Sequence, residues 1–400
     1  MQDNEKKPAL RFKGFTDPWE QRKFEEIAVR SSVMSDKKGL PRVEYEDIIS
    51  GAGRLNKDIK LKESEKVGIV FHKGDVLYGK LRPYLQNWLL ASFNGLAVGD
   101  FWVLQPQNTD SSFLYRLVQS QQFDEVANQS TGTKMPRADW KLVSKTKFAM
   151  PHSVDEQAAI GAYFEHLDTL ITLHQRKYEK LVNIKKSMLD KVFPQNGASV
   201  PEIRFKGFTD PWEQRKLEEY LEVSGQKNFE GIYTKEDVLS VSGDFGIVNQ
   251  IEFQGRSFAG ASVANYGVVE TGDIVYTKSP LKSNPYGIIK ANKGKNGIVS
   301  TLYAVYKPKQ SANPEFVQIY FEQDARMNNY MHPLVNKGAK NDMKVSAENA
   351  LKGQIVFPDI KEQRTISEFF RNLDTLITLH QRKLEKLQNI KKSCLEKMFV

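Results

Sequence analysis

Cysteine is almost absent from this chain, which has a single one, Cys394, among 400 residues. One cysteine excludes an intramolecular disulfide framework and a cysteine-rich zinc site. Long apolar runs are missing too, since no segment approaches the roughly 18 residues that a membrane-spanning helix needs. The first ten residues, MQDNEKKPAL, lack the apolar core of a signal peptide. We therefore expect a soluble, cytoplasmic protein.

Acidic residues are scarce in two stretches of the chain. Ile274–Pro314 contains seven lysines and no Asp or Glu, and Val126–Val154 contains five basic residues against one acid, Asp139. Over the whole chain, 58 Lys and Arg exceed 49 Asp and Glu, which gives a net charge of +9. Such a balance favours an anionic partner, with nucleic acid first and an anionic membrane surface second.

Catalytic motifs are missing as well. The sequence has no H-x-x-x-H pair, no nucleophile elbow and no nuclease-like cluster of carboxylates with a lysine. The stretch Gly74–Leu81 approaches a phosphate-binding loop, but Leu81 stands where the Mg²⁺-binding Ser or Thr is required. The corresponding stretch after Gly272 also lacks the second glycine. We therefore expect no catalysis, metal or cofactor in this chain.

What the sequence does contain is a repeat. Arg11–Lys23 and Arg204–Lys216 are identical, and Leu167–Ser187 recurs as Leu373–Ser393 with two substitutions. We call these four segments the frame. The segments between them have diverged, so the frame holds two different bodies. A fixed self-similarity of this kind predicts equivalent places in a pseudo-twofold molecule.

The predicted fold class is α+β, with two α/β bodies joined by two long antiparallel helices that form a coiled coil. The predicted domains are 1–152 for the first body, 153–193 for a central helix, 194–200 for a linker, 201–358 for the second body and 359–400 for a C-terminal helix. The linker, PQNGASV, contains the Pro and Gly that end a helix.

Short runs of β-branched or aromatic residues bounded by Gly or Pro predict the strands of the bodies. They are Val76–Tyr78, Phe101–Leu104, Asp273–Tyr276 and Leu302–Tyr306. Helical stretches are predicted near Phe113–Val126 and Glu315–Asn329, which lie at matching places in the two bodies.

The two long helices are predicted to begin with capping boxes, Ser153 with Glu156 and Asp359 with Glu362. In such a box the first side chain accepts a backbone N–H and the Glu reaches back to another. Apolar positions then recur in steps of four and three, which is the heptad pattern of a coiled-coil seam. The seam residues are Leu167, Ile171, His174, Tyr178 and Leu181 in one copy, and Leu373, Ile377, His380, Leu384 and Leu387 in the other.

Polar residues in this seam need their own explanation. His174 and His380 are predicted to fix the register, because no second metal ligand lies one turn away. Lys185 and Lys391 are predicted to extend along the seam edge towards water, and Cys394 to be a core thiol. A helix over 155–193 is roughly 58 Å long. If the anionic partner is double-stranded DNA, successive positions on one face of the duplex are roughly 34 Å apart. The helix is long enough to hold two bodies at that separation.

In its order of motifs the chain resembles the DNA-specificity (S) subunit of type I restriction–modification systems, over nearly its whole length. The residues that carry the resemblance occur twice in the same order. They are Phe12-Lys13-Gly14-Phe15 with Trp19 and Lys23, the Gly-Asp strand at Gly74, and Pro151 before Glu156-Gln157; their copies are Phe205-Lys206-Gly207-Phe208 with Trp212 and Lys216, the strand at Gly272, and Pro358 before Glu362-Gln363.

The resemblance implies that each body is a target-recognition domain reading one half of a bipartite DNA site. It also implies two methyltransferase partner subunits, and through them the restriction subunits. The subunit itself would not be an enzyme, since S-adenosylmethionine, ATP and Mg²⁺ are expected on those partners. Because the bodies differ in sequence, we expect an asymmetric target.

The candidate DNA-facing residues are polar or basic and follow each Gly-Asp strand or lie in the loop before each long helix. In the first body they are Lys80, Arg82, Tyr84, Lys134, Arg137 and Lys141. In the second body they are Lys278, Lys282, Asn284, Tyr286, Lys337, Lys340, Asn341 and Lys344. Lysines neutralise phosphates, whereas Asn, Gln and Arg pair with base edges.

Two other interpretations stay open at this point. One is a pseudo-dimeric coiled-coil scaffold that pairs two copies of an acidic partner and binds no DNA. The other is a self-contained methyltransferase or nuclease, which the missing cofactor loop and carboxylate cluster disfavour.

Overall fold

The computed structural model describes residues 7–59, 65–129, 135–195, 197–278, 284–335 and 345–399. The chain forms two compact units: Met1–Arg176 together with His380–Val400, and Lys177–Leu379. The first unit therefore takes its last part from the far end of the chain. Among the described residues, no helix combines the length and the apolar character required to cross a membrane.

The first unit is built on an antiparallel sheet with a core on each face. Its strands, in spatial order, are Ala28–Ser31, Phe101–Pro106, Val76–Gly79 and Trp88–Leu90. Tyr78 and Trp102 face one core, while their neighbours Leu77 and Val103 face the other. Side chains alternate across a strand, so burial on both faces produces the continuous apolar runs seen in the sequence.

Smaller elements complete the first unit. A second sheet has the order Met34–Ser35, Gly68–Phe71, Gly95–Ala97 and Arg42–Val43, and Ile48–Ile49 pairs with Arg54–Leu55. The short helices are Phe24–Ile27, Ser111–Leu117, Gln121–Ala127 and Trp140–Lys145, with 3₁₀ turns at Tyr45–Asp47 and Pro83–Leu85.

The second unit repeats this plan. Its main sheet has the order Leu221–Val223, Ala304–Pro308, Ile274–Tyr276 and Ile289–Ala291. Tyr276 and Tyr306 face the larger core and Val275 and Val305 the smaller one. The remaining elements are the pairs Leu239–Ser242 with Gly246–Asn249 and Gly267–Val269 with Gly297–Val299, the helices Gln250–Gln254, Pro314–Tyr320 and Asp324–Met331, and 3₁₀ turns at Leu217–Glu219, Lys235–Asp237, His332–Leu334 and Asn349–Leu351.

Each helical stretch predicted in the bodies is divided into two helices. In the first unit the second helix begins after Ser120, whose Oγ accepts the N–H of Phe123 at 3.3 Å. A side-chain acceptor of this kind favours a new N-terminus over a continued helix. The predicted strand at 302–306 is displaced to Ala304–Pro308, because Tyr303 donates its N–H to the C=O of Ser300 in a turn.

The repeated leader adds a strand to the end of each body. Glu20–Lys23 pairs with Lys147–Met150, and Glu213–Lys216 pairs with Gln354–Phe357, both antiparallel. The register is equivalent in the two units, since each leader Glu lies opposite the last residue of its partner strand. Backbone hydrogen bonds form this strand pairing. The side chains of the two body strands can therefore differ between the units while the pairing stays the same.

The start of each long helix differs from the predicted capping box. The Ser153 Oγ and Asp359 Oδ1 atoms do accept helix N–H groups, at 3.4 and 3.0 Å. The two glutamates do not reach back. Glu156 accepts from Arg11 Nε and Nη2, both at 2.7 Å, and Glu362 is held in the same way by the second leader's arginine, Arg204, at 2.9 and 2.7 Å. A buried carboxylate is stabilised better by a bidentate guanidinium than by one amide.

The glutamine after each of these glutamates ties the helix to its body. Gln157 donates to the C=O of Pro151 and accepts the N–H of Asp110, both at 2.9 Å. Asp110 is the N-cap of Ser111–Leu117. Gln363 makes the equivalent bonds in the second unit, with Asn313 as the capping residue. The Glu-Gln pair of the repeat is therefore structural in both units.

The central helix is Val154–Lys191 and the C-terminal helix is Ile360–Met398. They run antiparallel where they meet. In the first unit Tyr163 contacts Cys394 and His174 Nδ1 lies 2.8 Å from His380 Nδ1. Leu167 and Leu373 are buried, as is His380, and the other predicted seam residues, Ile171, His174, Tyr178, Leu181, Ile377, Leu384 and Leu387, are half-buried.

Interhelical ion pairs recur at equivalent positions. Lys391 Nζ lies 2.7 Å from Asp168, and Lys185 Nζ lies 2.9 Å from Asp374. The two lysines therefore end on carboxylates of the opposite helix and not in water, because those carboxylates lie within reach of the seam edge. The domain bounds given above stay predictions.

The residues directly after each long helix supply an aromatic side chain to a core. Phe399 lies against Phe113 and Trp19, with ring centroids 5.4 and 6.5 Å apart. In the second unit Phe193 lies against Phe316 and Trp212, at 5.7 and 6.0 Å. Each leader tryptophan thus packs on the end of the long helix of the other repeat: Trp19 on the end of the C-terminal helix and Trp212 on the end of the central helix.

Candidate nucleic-acid interface

Candidates from two distant segments of the first body lie side by side. The C=O of Lys80 accepts from the N–H of Ala138 at 2.8 Å, and the N–H of Arg82 donates to the C=O of Pro136 at 2.7 Å. Between these bonds Arg137 forms an antiparallel bridge with the intervening residue. The backbone therefore brings Lys80, Arg82 and Arg137 to one surface.

Asp100 joins two of these cations. Its carboxylate lies 3.5 Å from Lys80 Nζ through Oδ1 and 3.2 Å from Arg137 Nη2 through Oδ2. The side chains are 32%, 54% and 30% exposed for Lys80, Arg137 and Asp100 respectively. The group is partly solvated, so its energy as a salt bridge is small and its effect is mainly on orientation.

Tyr45 fixes the backbone beneath this group. Its hydroxyl donates to the C=O of Asp100 at 2.7 Å and accepts the N–H of Leu81 at 2.9 Å. The ring packs 4.6 Å from that of Phe101. Burial raises the pKa of Tyr45, so the phenol keeps the proton that it donates.

Arg82 and Tyr84 lie on a tight turn next to Lys80. Arg82 has φ of +50° and Gln86 has φ of +55°, on either side of the turn Pro83–Leu85. Non-glycine residues in this region cost about 1–2 kcal/mol each. The turn projects Tyr84, which is 57% exposed. An exposed aromatic ring beside cations suits stacking on a base or packing on a sugar.

A cleft of about 400 Å³ adjoins the same group and contains Lys141. Its walls include Trp102 and Trp140, and the Arg30 guanidinium lies 4.9 Å from the Trp140 ring centroid. Asp139 accepts the N–H of Lys141 at 2.8 Å and so begins the helix Trp140–Lys145. The first unit therefore gathers Lys80, Arg82, Tyr84, Arg137 and Lys141 in one region.

The second-unit candidates that the structure describes are Lys278, which follows the strand Ile274–Tyr276, and Asn284 and Tyr286, which precede its partner strand Ile289–Ala291. Lys278 Nζ donates to the C=O of Thr301 at 3.2 Å, and burial, reinforced by the nearby Lys227 ammonium, lowers the pKa of Lys278. Asn284 donates to Asp324 Oδ1 at 2.8 Å. Tyr286 is half-buried, and its ring lies 6.2 Å from that of His332.

Several predicted contacts lie outside the described residues. They are Lys134 in the first body and Lys282, Lys337, Lys340, Asn341 and Lys344 in the second. Their assignment stays a prediction from the sequence. Among the residues that the structure does describe, no cluster of three or more His, Cys, Asp or Glu could hold a metal ion.

Reasoning from the sequence missed three members of the first site: Tyr45, Asp100 and Arg30. The prediction names polar and basic residues after the Gly-Asp strands and before the long helices, whereas Asp100 is an acid that positions cations, and Tyr45 and Arg30 lie elsewhere in the sequence. A signal was available, because Asp100 directly precedes the Phe101 strand and Lys80 directly follows the neighbouring Val76–Gly79 strand. In an antiparallel pair, the end of one strand lies opposite the start of its partner.

Comparison with known proteins agrees with this architecture. Residues 16–183 match the family model of the type I restriction modification DNA specificity domain. The solved type I restriction–modification S subunit of M. genitalium shares the fold, with a TM-score of 0.59 and 14% identity over 98% of this chain and 99% of that one. The fold is thus that of two α/β domains with two long helices.

Two curated relatives are specificity subunits as well. The EcoDI specificity subunit of Escherichia coli is 25% identical over 127 residues, 31% of this chain and 28% of that protein. The MjaVIII specificity subunit of Methanocaldococcus jannaschii is 22% identical over 277 residues, 66% and 64% of the two chains. The chain thus spans less than two thirds of each relative's length. These matches confirm the resemblance: residues 16–183 match the specificity-domain model, and the chain is similar to type I restriction–modification specificity subunits.

Proposed function

We propose that this chain is the sequence-reading subunit of a type I restriction–modification complex, in which each unit reads one part of an asymmetric, two-part DNA target. The observation that carries the proposal is the near-identical frame around two diverged bodies. The leader strands join their bodies in equivalent registers and Glu156 and Glu362 take the same arginine contact. A constant support with variable readers is what a two-part target requires.

In the first unit, the proposed DNA surface is the region of Lys80, Arg82, Tyr84, Arg137 and Lys141. It combines the point charges of two lysines, suited to phosphates, with two guanidinium groups and a phenol suited to bases. The second unit would use the loops that contain Lys278, Asn284 and Tyr286 and the predicted positions outside the described residues. The two units share few of these side chains, which supports different half-sites.

The frame is proposed to dock two copies of a methyltransferase subunit. Its segments occur twice in the sequence, so each repeat would offer a nearly identical surface to one copy. In this proposal the chain itself performs no chemistry. S-adenosylmethionine, ATP and Mg²⁺ would be bound by the methyltransferase and restriction subunits, and the complex would act in the cytoplasm on double-stranded DNA.

The test is a methylome. The chain is expressed with its neighbouring methyltransferase subunit in a host that lacks DNA methylation, and N6-methyladenine is mapped by single-molecule sequencing. A gapped motif with two different halves and a constant spacer is the expected result. The matched control expresses the methyltransferase subunit alone.

Two results would oppose the proposal. Methylation at one ungapped motif would exclude two separate readers. A purified complex that leaves the DNA unmethylated and binds it without sequence preference would favour a scaffold that pairs acidic partners.

A further inference from the structure

Arg137 and Asp100 form an ion pair at the first site, and Lys80 lies near the other oxygen of the same carboxylate. Lys141 lies at the adjoining cleft, where its backbone N–H donates to Asp139 Oδ1 at 2.8 Å. Arg137 instead donates from Nη2 to the Asp100 carboxylate at 3.2 Å while 54% of its side chain is exposed. One edge of the guanidinium is thereby oriented.

The backbone of Asp100 is itself held in place. The C=O of Asp100 accepts from the Lys80 N–H at 2.9 Å and from the Tyr45 hydroxyl at 2.7 Å. Arg137 belongs to the antiparallel bridge, so its backbone is fixed as well. The backbones of both partners are therefore set before any ligand arrives, which reduces the entropy lost on binding.

A carboxylate beside a guanidinium selects between two kinds of DNA contact. A phosphate bears a full negative charge, so the Asp100 carboxylate repels it and reduces the attraction of Arg137 for the backbone. The guanine edge is neutral and presents the acceptors O6 and N7, which match the planar fork of a guanidinium. The pair is consequently better suited to a guanine than to a phosphate.

We propose that Arg137 reads a guanine in the half-site of the first unit, and that Asp100 is the positioning residue that directs Arg137 to the base. This proposal rests on the proposed function, since it assigns a base contact within the first reader. Lys141 then serves the backbone phosphates of the same half-site.

The first experiment repeats the methylome with the Arg137→Ala chain in the full complex. One guanine position in one half of the motif should become degenerate, while the other half and the spacer remain unchanged. The matched control is Arg371→Ala, since Arg371 is 55% exposed and also pairs with a carboxylate, Glu315, but is not a candidate. The control should leave the whole motif unchanged.

A second measurement uses purified complex and duplexes in which each guanine of the half-site is replaced in turn by 7-deazaguanine, which lacks the N7 acceptor. At one position the unaltered complex should lose affinity by about 5- to 150-fold, the range of a good bidentate contact. The Arg137→Ala complex should be insensitive at that position.

The Asp100→Asn variant separates positioning from general folding. Neutralising the carboxylate removes repulsion of phosphate, so binding to unrelated DNA should become tighter while the preference for the guanine decreases. A purely structural role would weaken both together, and that result would overturn the assignment of Asp100.

The remaining outcomes are also decisive. A uniform loss of affinity for all sequences in Arg137→Ala, with the motif intact, would make Arg137 a phosphate contact and overturn the proposal. If the unaltered complex yields no gapped motif, the proposed function has failed first. A gapped motif that Arg137→Ala leaves unchanged refutes the guanine contact alone.

Discussion

Arg11 donates from Nε and Nη2 to the two carboxylate oxygens of Glu156, at 2.7 Å each, across 145 positions of sequence. The carboxylate is 2% exposed and also accepts from Trp19 Nε1 at 3.2 Å. This contact connects the repeated leader to the first turn of the central helix. The hydrogen bond to Glu156 raises the pKa of Arg11, so the pair stays charged.

Glu156→Gln should destabilise the first unit by about 3 kcal/mol, because it leaves a partly buried guanidinium without its counter-charge. Urea unfolding with intrinsic fluorescence measures the loss. The control is Glu65→Gln, since Glu65 is 83% exposed and pairs with Lys38, which is 87% exposed. A surface pair of that kind contributes at most about 1 kcal/mol, so equal losses in the two variants would contradict the role of the Arg11 contact.

Asp168→Asn and Asp374→Asn alter equivalent positions of the frame and should differ in effect. Asp168 neutralises both Lys391 and Arg116, which is 4% exposed, each at 2.7 Å. Asp374 lies 2.9 Å from Lys185, and Glu322 lies 2.7 Å from the same lysine. We expect a loss of about 3 kcal/mol for Asp168→Asn.

The Asp374→Asn change should cost at most about 1 kcal/mol, because Lys185 keeps Glu322 and the Asp374 side chain is 47% exposed. Chemical unfolding of the two variants beside the unaltered chain provides the comparison. If Asp374→Asn lost more stability than Asp168→Asn, Glu322 would not compensate for the missing carboxylate at Lys185.

Gly161→Ala should be destabilising although Ala is the better helix former. A Cβ at Gly161 would lie 1.7 Å from Ser112 Oγ and 2.5 Å from Ser112 Cβ, so the central helix could not keep its distance from Ser111–Leu117. Overpacking of this kind costs about 1–3 kcal/mol. The double variant Gly161→Ala with Ser112→Gly should recover most of the thermal stability.

Gly225→Ala is the control for that series. Nothing lies within 4 Å of a Cβ at Gly225, and its backbone is not left-handed. Its melting temperature should change by less than about 2 °C, in keeping with a surface substitution. A melting temperature for Gly161→Ala as high as that of Gly225→Ala would refute the close helix contact.

Lys141→Ala and Lys340→Ala should each lower affinity for all DNA sequences and flatten the salt dependence of binding by about one unit, because each removes one phosphate contact. Binding of the purified complex to specific and unrelated duplexes at several salt concentrations measures both quantities. Lys38→Ala, outside the candidate set, should leave the slope unchanged. An unchanged slope in Lys340→Ala would make that assignment wrong.

Local patterns in the sequence were enough to predict the main elements of the fold. The seam spacing predicted the two long helices, and the Gly-Asp runs predicted the inner strands at Val76 and Ile274. These features depend on neighbours a few positions away. The capping-box prediction failed for the same reason, since the true partner of Glu156 is Arg11 and no local rule connects them.

The site was predictable only in outline. The loops that contain Lys80 and Arg137 are identified by charge, but their joining depends on backbone bonds between distant segments, such as that from Ala138 to Lys80, 58 positions away. Asp100 is missed because a carboxylate counts against the positive charge by which a DNA-binding site is recognised in the sequence. Its role becomes visible only with the distances to both cations.

The exchange of helix ends has a further consequence. Phe399 fills in the first unit the place that Phe193 fills in the second, so neither half of the sequence contains all of its own core. A chain ending at the linker would keep Phe193 but leave Trp19 uncovered. Because Phe193 and Phe399 occupy equivalent positions, two such half-length chains could complete each other's cores by a reciprocal domain swap and form a symmetric homodimer.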